Sequence, residues 1–105
     1  MSEDYTLLVG GIASMQLEEA SGWYEEKRKG LGSAFMLDFR QATSLLKKHP
    51  RLKQQVYRHF RRALMRKFPY AIFYSIDDER RNVVVTAVFH AGSNTERVTK
   101  VLDLE

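Results

Sequence analysis

The chain has 105 residues, which is the length of a single domain with one hydrophobic core. It contains no cysteine, only three histidines and no run near the roughly 20 apolar residues of a membrane span, which argues against disulfides, zinc–thiolate sites and a transmembrane helix. The net charge of +4 is unevenly placed, because ten Lys and Arg but no acid lie between Asp38 and Asp77, whereas the first 38 residues carry seven acids and three bases.

The first predicted elements are a strand and a helix. Residues 5–9 are apolar and partly β-branched, which predicts a strand that ends at Gly10 and Gly11. From Ser14 to about Arg28 apolar residues recur at three- and four-residue spacing, with glutamates off that stripe, as in an amphipathic helix. The stripe consists of Leu17, Ala20, Trp23 and Tyr24.

A second helix is predicted directly after the first. Gly30 and Gly32 allow the first helix to end and the chain to reverse. Ser33 is the predicted N-cap of the second helix, which lasts until Pro50. Its apolar face consists of Phe35, Phe39, Ala42 and Leu46. The two helices should form an antiparallel hairpin whose apolar stripes need another surface to cover them.

The remaining elements are predicted strands. Residues 57–67 alternate partly between apolar and basic side chains, residues 70–76 give the strongest strand pattern, and residues 83–89 are apolar enough for a strand covered on both faces. Residues 77–82 connect the last two strands, and residues 91–105 form a short helix or remain loose. The predicted fold is α+β with the order β-α-α-β-β-β, a helical hairpin packed on a small, mostly antiparallel sheet.

Several short patterns along the chain resemble one family. They are Glu19-Ala20, Trp23-Tyr24-Glu25, Gly30-Leu31-Gly32 followed by Phe35, Arg61-Arg62-Ala63-Leu64, Phe68-Pro69-Tyr70-Ala71-Ile72-Phe73-Tyr74 and Ala87-Val88-Phe89-His90. In this order and spacing they resemble the RelE/ParE superfamily of type II toxin–antitoxin systems, closest to its ParE-like, plasmid-stabilisation branch.

The resemblance implies one toxin domain over residues 1–105 that arrests growth when free and binds a cognate antitoxin as a hetero-oligomer. ParE-like members act on DNA gyrase, and RelE-like members cleave messenger RNA on the ribosome. The implied protein is cytoplasmic and needs no cofactor, metal or membrane. An inactive member of the same fold is the third alternative, since fold alone does not fix function.

The residues that RelE-like nucleases use are mostly absent. Aligning Ile72-Phe73-Tyr74 with the corresponding strand of those nucleases places Ala71 at their arginine, and the segment 89–91 at their Gly-Lys-Arg-like run. The segment Gly92-Ser93-Asn94 also lacks the basic cluster common in the family. We therefore expect a protein-binding toxin rather than an enzyme, with Arg62, Tyr74 and His90 as the candidate catalytic set if the chain is a nuclease.

Two candidate binding surfaces follow. The target-binding candidates are Arg58, Arg61, Arg62, Arg66 and His90, because arginines grip phosphates or carboxylates; a solvated strand face is an equal alternative for the arginines. The antitoxin-binding candidates are Trp23, Tyr24, Phe35 and Phe39, which are otherwise the packing face of the hairpin. Base stacking by Tyr57, Tyr70 and Tyr74 is a weaker alternative to half-buried sheet positions.

Overall fold

The computed structural model describes residues 4–104. Five strands and three helices occur in this range, and they follow one another as β1, α1, α2, β2, β3, β4, β5 and α3. Their bounds are β1 Thr6–Val9, α1 Gly11–Lys27, α2 Leu31–Lys48, β2 Gln55–Tyr57, β3 Phe60–Leu64, β4 Tyr70–Asp77, β5 Asn82–His90 and α3 Thr95–Leu102. Within residues 4–104 none of the helices is long and apolar enough to span a bilayer.

The strands form one mixed sheet in the order β1-β5-β4-β3-β2. β1 pairs with β5 in parallel, and the other neighbours are antiparallel. The helical hairpin α1–α2 covers one face of this sheet, called here the hairpin face, and α3 covers the other, called the α3 face. This confirms the predicted α+β fold with a helical hairpin on a mostly antiparallel sheet.

β5 is apolar almost throughout because both faces of the sheet are covered there, and a bulge sets which of its residues point to each face. Phe73 pairs with Ala87 but Tyr74 pairs with Val85, so Thr86 is an extra residue on β5. Side chains of a strand alternate between faces, and the extra residue shifts this alternation by one. Val83, Val85 and Val88 therefore belong to the core on the hairpin face, whereas Ala87 and Phe89 belong to the core on the α3 face.

The turn between α1 and α2 is held by Glu25. Its carboxylate accepts the backbone N–H groups of Gly30 and Gly32 at 3.0–3.1 Å. Gly30 has a φ of 92°, a left-handed conformation that glycine adopts without strain. The predicted N-cap at Ser33 is wrong, because α2 already begins at Leu31 with Gly30 before it.

The predicted strand over residues 57–67 is also corrected. It is split into β2 and β3 by a turn in which Arg58 has a φ of 53°, and β3 ends at Leu64. The tail forms α3, whose N-cap Asn94 accepts the N–H groups of Glu96 and Arg97 at 2.8 and 3.2 Å. Because α3 follows β5 directly, it returns over the face of the sheet that the hairpin leaves open.

Candidate functional site

The α3 face carries a cleft between the sheet and α3. Val98 and Leu102 of α3 are buried with Phe73 and Phe89 of the sheet. A cavity of about 260 Å³ remains beside them, with Arg62 on its wall. Arg62 is on this face because side chains alternate along β3, and its neighbour Ala63 packs on the hairpin face.

The C-terminal end of α3 is tied to the β2–β3 turn. The Tyr57 hydroxyl donates to both carboxylate oxygens of Asp103, at 2.9 and 3.1 Å. Arg58 Nε lies 3.3 Å from the same carboxylate, and its guanidinium lies 5.4 Å from the centre of the Tyr57 ring. This contact closes one end of the cleft, and it engages the first of the candidate target-binding arginines.

The three candidate catalytic residues do not converge. Tyr74 is completely buried on the hairpin face, and its hydroxyl donates to the Pro50 carbonyl at 2.7 Å; burial raises the pKa of its phenol. Arg62 is on the other face. His90 lies on β5, two strands across the sheet from Arg62 on β3, and three residues further along the strand direction. The displacement is roughly 10 Å across the sheet and roughly 10 Å along the strand.

His90 is an exposed residue at the end of β5. Its ring meets the Tyr70 ring edge to face at 5.5 Å, and its Nδ1 accepts the Gly92 N–H at 3.1 Å. Since Nδ1 is the acceptor, the proton of the neutral imidazole is on Nε2. In this arrangement Nδ1 is engaged with Gly92, and Nε2–H is a hydrogen-bond donor towards solvent.

The candidate target-binding arginines are spread over the β2–β3 side of the sheet. Arg61 Nη1 donates to the Lys53 carbonyl at 2.6 Å, on the hairpin face. Arg66 is exposed in the loop after β3. Arg58 and Arg62 lie towards α3, so the side chains form a basic rim around one edge of the sheet rather than one face, and His90 is apart from them on β5.

The loop that carries Arg66 is anchored by a buried acid. Asp38 is only 2% exposed, and its carboxylate accepts the backbone N–H groups of Arg66, Lys67 and Phe68 at 3.3, 2.8 and 2.9 Å. Three such donors compensate the burial of the charge. The sequence showed Asp38 only as the boundary of the basic segment, and nothing local to it indicates this contact.

The candidate antitoxin-binding residues divide into two pairs. Phe35 and Phe39 are 0% and 3% exposed, so in this conformation they are core residues and offer no surface to a partner. Tyr24 is half-buried and stacks on Phe35. Trp23 is 54% exposed and has the Lys27 ammonium 4.6 Å from its ring. A partner can reach Trp23 and the rim of Tyr24.

The three tyrosines considered for base stacking are not on one surface. Tyr57 is bound to Asp103, Tyr74 is buried, and Tyr70 is in the aromatic cluster with Tyr24 and Phe35. Burial raises the pKa of Tyr70, and the neighbouring Tyr24 raises it further. Within residues 4–104 no three His, Asp or Glu side chains are placed to hold a metal ion.

Sequence reasoning missed a groove beside the end of β5. It measures about 470 Å³ and lies between Trp23 of α1, the β5 residues Val88 to His90, and Arg97 of α3. The groove exists because β1 ends before β5 does, which depends on strand pairing and is not visible in the order of residues.

Comparison with known proteins identifies the family. The family model described as "ParE toxin of type II toxin-antitoxin system, parDE" matches residues 13–95, from α1 to the start of α3. The chain belongs to this family. Membership in the ParE toxin family makes the chain a toxin of a type II toxin–antitoxin system and confirms the resemblance read from the sequence. No curated protein matches the chain significantly.

Solved structures of related toxins have the same fold as this ParE-family chain. A double mutant of the Escherichia coli toxin RelE in the free state is 18% identical with a TM-score of 0.72, and the match covers 97% of this chain and 98% of that one. A chain of the toxin–antitoxin complex RelBE2 of Mycobacterium tuberculosis is 24% identical with a TM-score of 0.60, and the match covers 84% of this chain and 99% of that one. A chain of the intact E. coli RelBE complex is 20% identical with a TM-score of 0.63, and the match covers 85% of this chain and 99% of that one. At these identities the likeness concerns the fold.

Proposed function

We propose that this ParE-family toxin arrests growth by binding a protein target, DNA gyrase, and that a cognate antitoxin prevents this binding. The observation that carries the proposal is the separation of Tyr74, buried on the hairpin face, from Arg62 on the α3 face, in a chain that matches the ParE family model. The proposed site of action is the cytoplasm, and the proposed assembly is a hetero-oligomer with the antitoxin.

Nuclease chemistry requires groups that meet at one phosphate. A general acid or base must come within hydrogen-bond distance of the proton it moves, and the charge-stabilising group must reach the same phosphate. Tyr74 is engaged with Pro50 inside the core on the hairpin face, whereas Arg62 and His90 both line the cavity beside α3, two strands apart. This arrangement favours binding over catalysis.

The target surface that we propose is the basic rim formed by Arg58, Arg61, Arg62 and Arg66, with His90 as an outlying contact. The segment between Asp38 and Asp77, which forms the β2–β3 side, contains no acid, so an acidic surface meets mainly cations there; Asp103 at the C-terminal end of α3 is the one carboxylate described at the β2–β3 turn. Arg58 is exposed in spite of its contact with Asp103, and it can exchange that carboxylate for one of the target.

The antitoxin surface that we propose lies on the opposite side of the sheet, at Trp23 and Tyr24. An exposed tryptophan is an unusual surface residue and a frequent anchor in protein interfaces. The related solved structures include the RelBE2 and RelBE complexes, which are toxins bound to antitoxins. Phe35 stacks on Tyr24 from beneath, and because Phe35 and Phe39 are both buried we do not propose either as a contact.

The test is induced expression in bacteria with DNA and protein synthesis followed in parallel, together with a supercoiling assay using purified gyrase and purified chain. We expect growth arrest in which DNA synthesis fails first, and inhibition of supercoiling. Arg58→Glu/Arg61→Glu should weaken inhibition by about tenfold or more, because the coupling energy of a close charge pair at an interface is at least about 1.5 kcal/mol. Arg80→Glu, in the β4–β5 turn, is the matched control.

Other outcomes assign the chain differently. Early loss of protein synthesis with cleaved messenger RNA supports the RelE-like nuclease, unless His90→Ala and Arg62→Ala both retain full activity. Unimpaired growth with normal amounts of folded chain indicates an inactive member of the fold. Rescue of growth by one co-expressed protein from the same genome identifies the antitoxin.

A further inference from the structure

The cavity beside α3 has a buried floor and an open mouth. Phe73 and Leu102 on its floor are 6% and 1% exposed, so the cavity does not continue through the protein. Its exposed lining residues include Val56 of β2, at 51%, and Thr95 at the start of α3. The cavity therefore opens between the sheet and the helix, and its shape admits a compact molecule rather than a polymer that must pass through it.

A small side chain in the sheet leaves this space. Ala71 of β4 pairs with Leu64 of β3 and with Phe89 of β5, so the three side chains form one row on the α3 face. Phe89 is buried beneath Val98 of α3, whereas Leu64 is 54% exposed. Because α3 covers the row only on its Phe89 side, the space above the methyl group of Ala71 is not filled by the helix.

The volume of the cavity, about 260 Å³, sets the size of an occupant. A water molecule takes about 30 Å³ in the liquid, so the volume is that of roughly nine waters, or of an organic molecule with about ten non-hydrogen atoms. The floor consists of Phe73, Phe89 and Leu102 and offers no polar side chain. An apolar body placed on this floor is removed from water, which is favourable.

Arg62 brings a positive charge to the wall of this apolar cavity. The neighbouring arginines are engaged, Arg58 with Asp103 and Arg61 with the Lys53 carbonyl. Within residues 4–104 the half-buried guanidinium of Arg62 makes no hydrogen bond, ion pair or ring contact, and no Asp or Glu of that range lines the cavity. A guanidinium beside apolar groups attracts an anion more strongly than one in bulk water, and its fork fits both oxygens of a carboxylate.

We propose that the cavity binds a small free monocarboxylate whose apolar body has about eight carbon atoms. The carboxylate accepts two N–H bonds from Arg62, and the apolar body lies on Phe73 and Leu102 beside α3. A phosphate monoester fits less well, because it brings nearly two negative charges to a single guanidinium. This site goes beyond the proposed function. Arg62 also belongs to the basic rim, so the tests measure binding and stability rather than inhibition.

The first test titrates the purified chain with phenylacetate and with octanoate, each of which has about ten non-hydrogen atoms. We expect saturable NMR shifts at Ala71, Phe73 and Leu102 with a Kd of about 0.1–1 mM for at least one acid. Preference for phenylacetate identifies an aryl acid, and preference for octanoate a short fatty acid. Phenylacetamide lacks the charge and acetate lacks the apolar body, so both should bind at least tenfold more weakly. Absence of saturable binding by either acid would overturn the site.

The second test removes the charge or the space. Arg62→Met keeps an unbranched side chain without the charge and should weaken binding of the acid about tenfold or more. Thr99→Phe, on α3, fills the cavity without altering its packed floor and should abolish binding. Arg66→Met, in the exposed loop after β3, is the matched control and should bind as the parent chain does. Parent-like affinity in both Arg62→Met and Thr99→Phe would place the acid elsewhere.

The third test uses thermal unfolding with 10 mM of the acid that binds. A ligand that binds only the folded chain stabilises it by mass action, and at this Kd the Tm should rise by roughly 5 °C or more. Arg62→Met should show less than half of this rise, and Arg66→Met all of it. An equal rise in the parent chain and in Arg62→Met, or NMR shifts confined to the hairpin face, would show that the acid does not act through this cavity.

Discussion

The carboxylate of Asp38 supports the loop between β3 and β4 from inside the protein, through the three N–H groups of residues 66–68. Asp38→Asn keeps the size but replaces one acceptor oxygen with an NH₂ donor that faces other donors. We expect the free energy of unfolding to fall by about 2 kcal/mol, the usual cost of losing charge-assisted bonds and leaving buried groups unpaired. Urea unfolding of the variant and of the parent chain measures this difference in unfolding free energy. Glu26→Gln, on the exposed side of α1, is the control and should change stability by less than about 0.5 kcal/mol; equal effects would contradict the role of Asp38.

A second acid acts at the surface. Asp78 accepts a hydrogen bond from Arg51 and one from the Tyr5 hydroxyl at 2.7 Å, and these bonds, that from Arg51 first, hold the pKa of Asp78 below its ordinary 3.8. Because the folded pKa is lowered, the stabilisation is present above the unfolded pKa, and it is lost as pH falls from about 3.8 through the folded value.

The measurement for Asp78 is an NMR titration of its side-chain carboxyl. We expect a midpoint below 3.8 in the parent chain and a rise towards 3.8 in Arg51→Gln. Arg80→Gln, whose arginine bonds Asp77 instead, should leave the Asp78 midpoint in place. An unaltered midpoint in Arg51→Gln would show that Arg51 is not the cause.

At the scale of elements, the helical hairpin depends on a close approach of α1 and α2 at Gly32. A Cβ at position 32 would lie 2.7 Å from the Ser21 carbonyl oxygen, whereas a Cβ at Gly22, also in a helix, meets nothing within 4 Å. Gly32→Ala should therefore lower the unfolding free energy by about 1–3 kcal/mol by forcing the helices apart. Gly22→Ala should raise it by about 0.5–1 kcal/mol, because alanine is the better helix former.

Thermal and urea unfolding of the two glycine variants form a matched pair. The same substitution in the same hairpin is expected to change stability with opposite sign, so a general effect of alanine cannot produce the result. Equal stabilisation by both variants would mean that the helices separate without cost at Gly32.

The wrong expectations at this scale have a common cause. The alternation of residues 57–67 continues through the turn at Arg58, because a short turn does not interrupt a two-residue pattern. The predicted N-cap at Ser33 used a favourable cap residue, but Glu25 satisfies the N–H groups of Gly30 and Gly32 from the preceding helix. Both errors arise where contacts beyond the local sequence decide an element's boundary.

At the scale of the whole molecule, the fold separates the charges along the chain. The acids of α1 are exposed on the hairpin, whereas Arg58, Arg61, Arg62 and Arg66 surround the β2–β3 side of the sheet. Such a distribution accelerates the encounter with an acidic partner through long-range attraction, which salt screens.

The association rate constant with the target should therefore fall several-fold between 50 and 200 mM NaCl, as measured by stopped flow or surface plasmon resonance. Arg58→Gln/Arg61→Gln should have a shallower dependence on salt, and Arg80→Gln should keep most of it. A rate independent of salt would place the contact surface away from the basic rim.

The sequence by itself determined the class of fold, the helical hairpin, the two long strands and the family, because periodicity and turn residues are local properties that each segment carries wherever it packs. The family match over residues 13–95 includes the motifs Phe68-Pro69-Tyr70 and Trp23-Tyr24. The sequence also located the basic segment, since charge is read directly from composition.

Only the tertiary structure decided which of these residues meet. The Thr86 bulge reverses the alternation of β5, and pairing in the sheet places Arg62 and His90 on different sides of β4. Burial removed Phe35, Phe39 and Tyr74 from the accessible surface. Contacts between residues distant in sequence set all of these features, and local sequence patterns do not reveal such contacts.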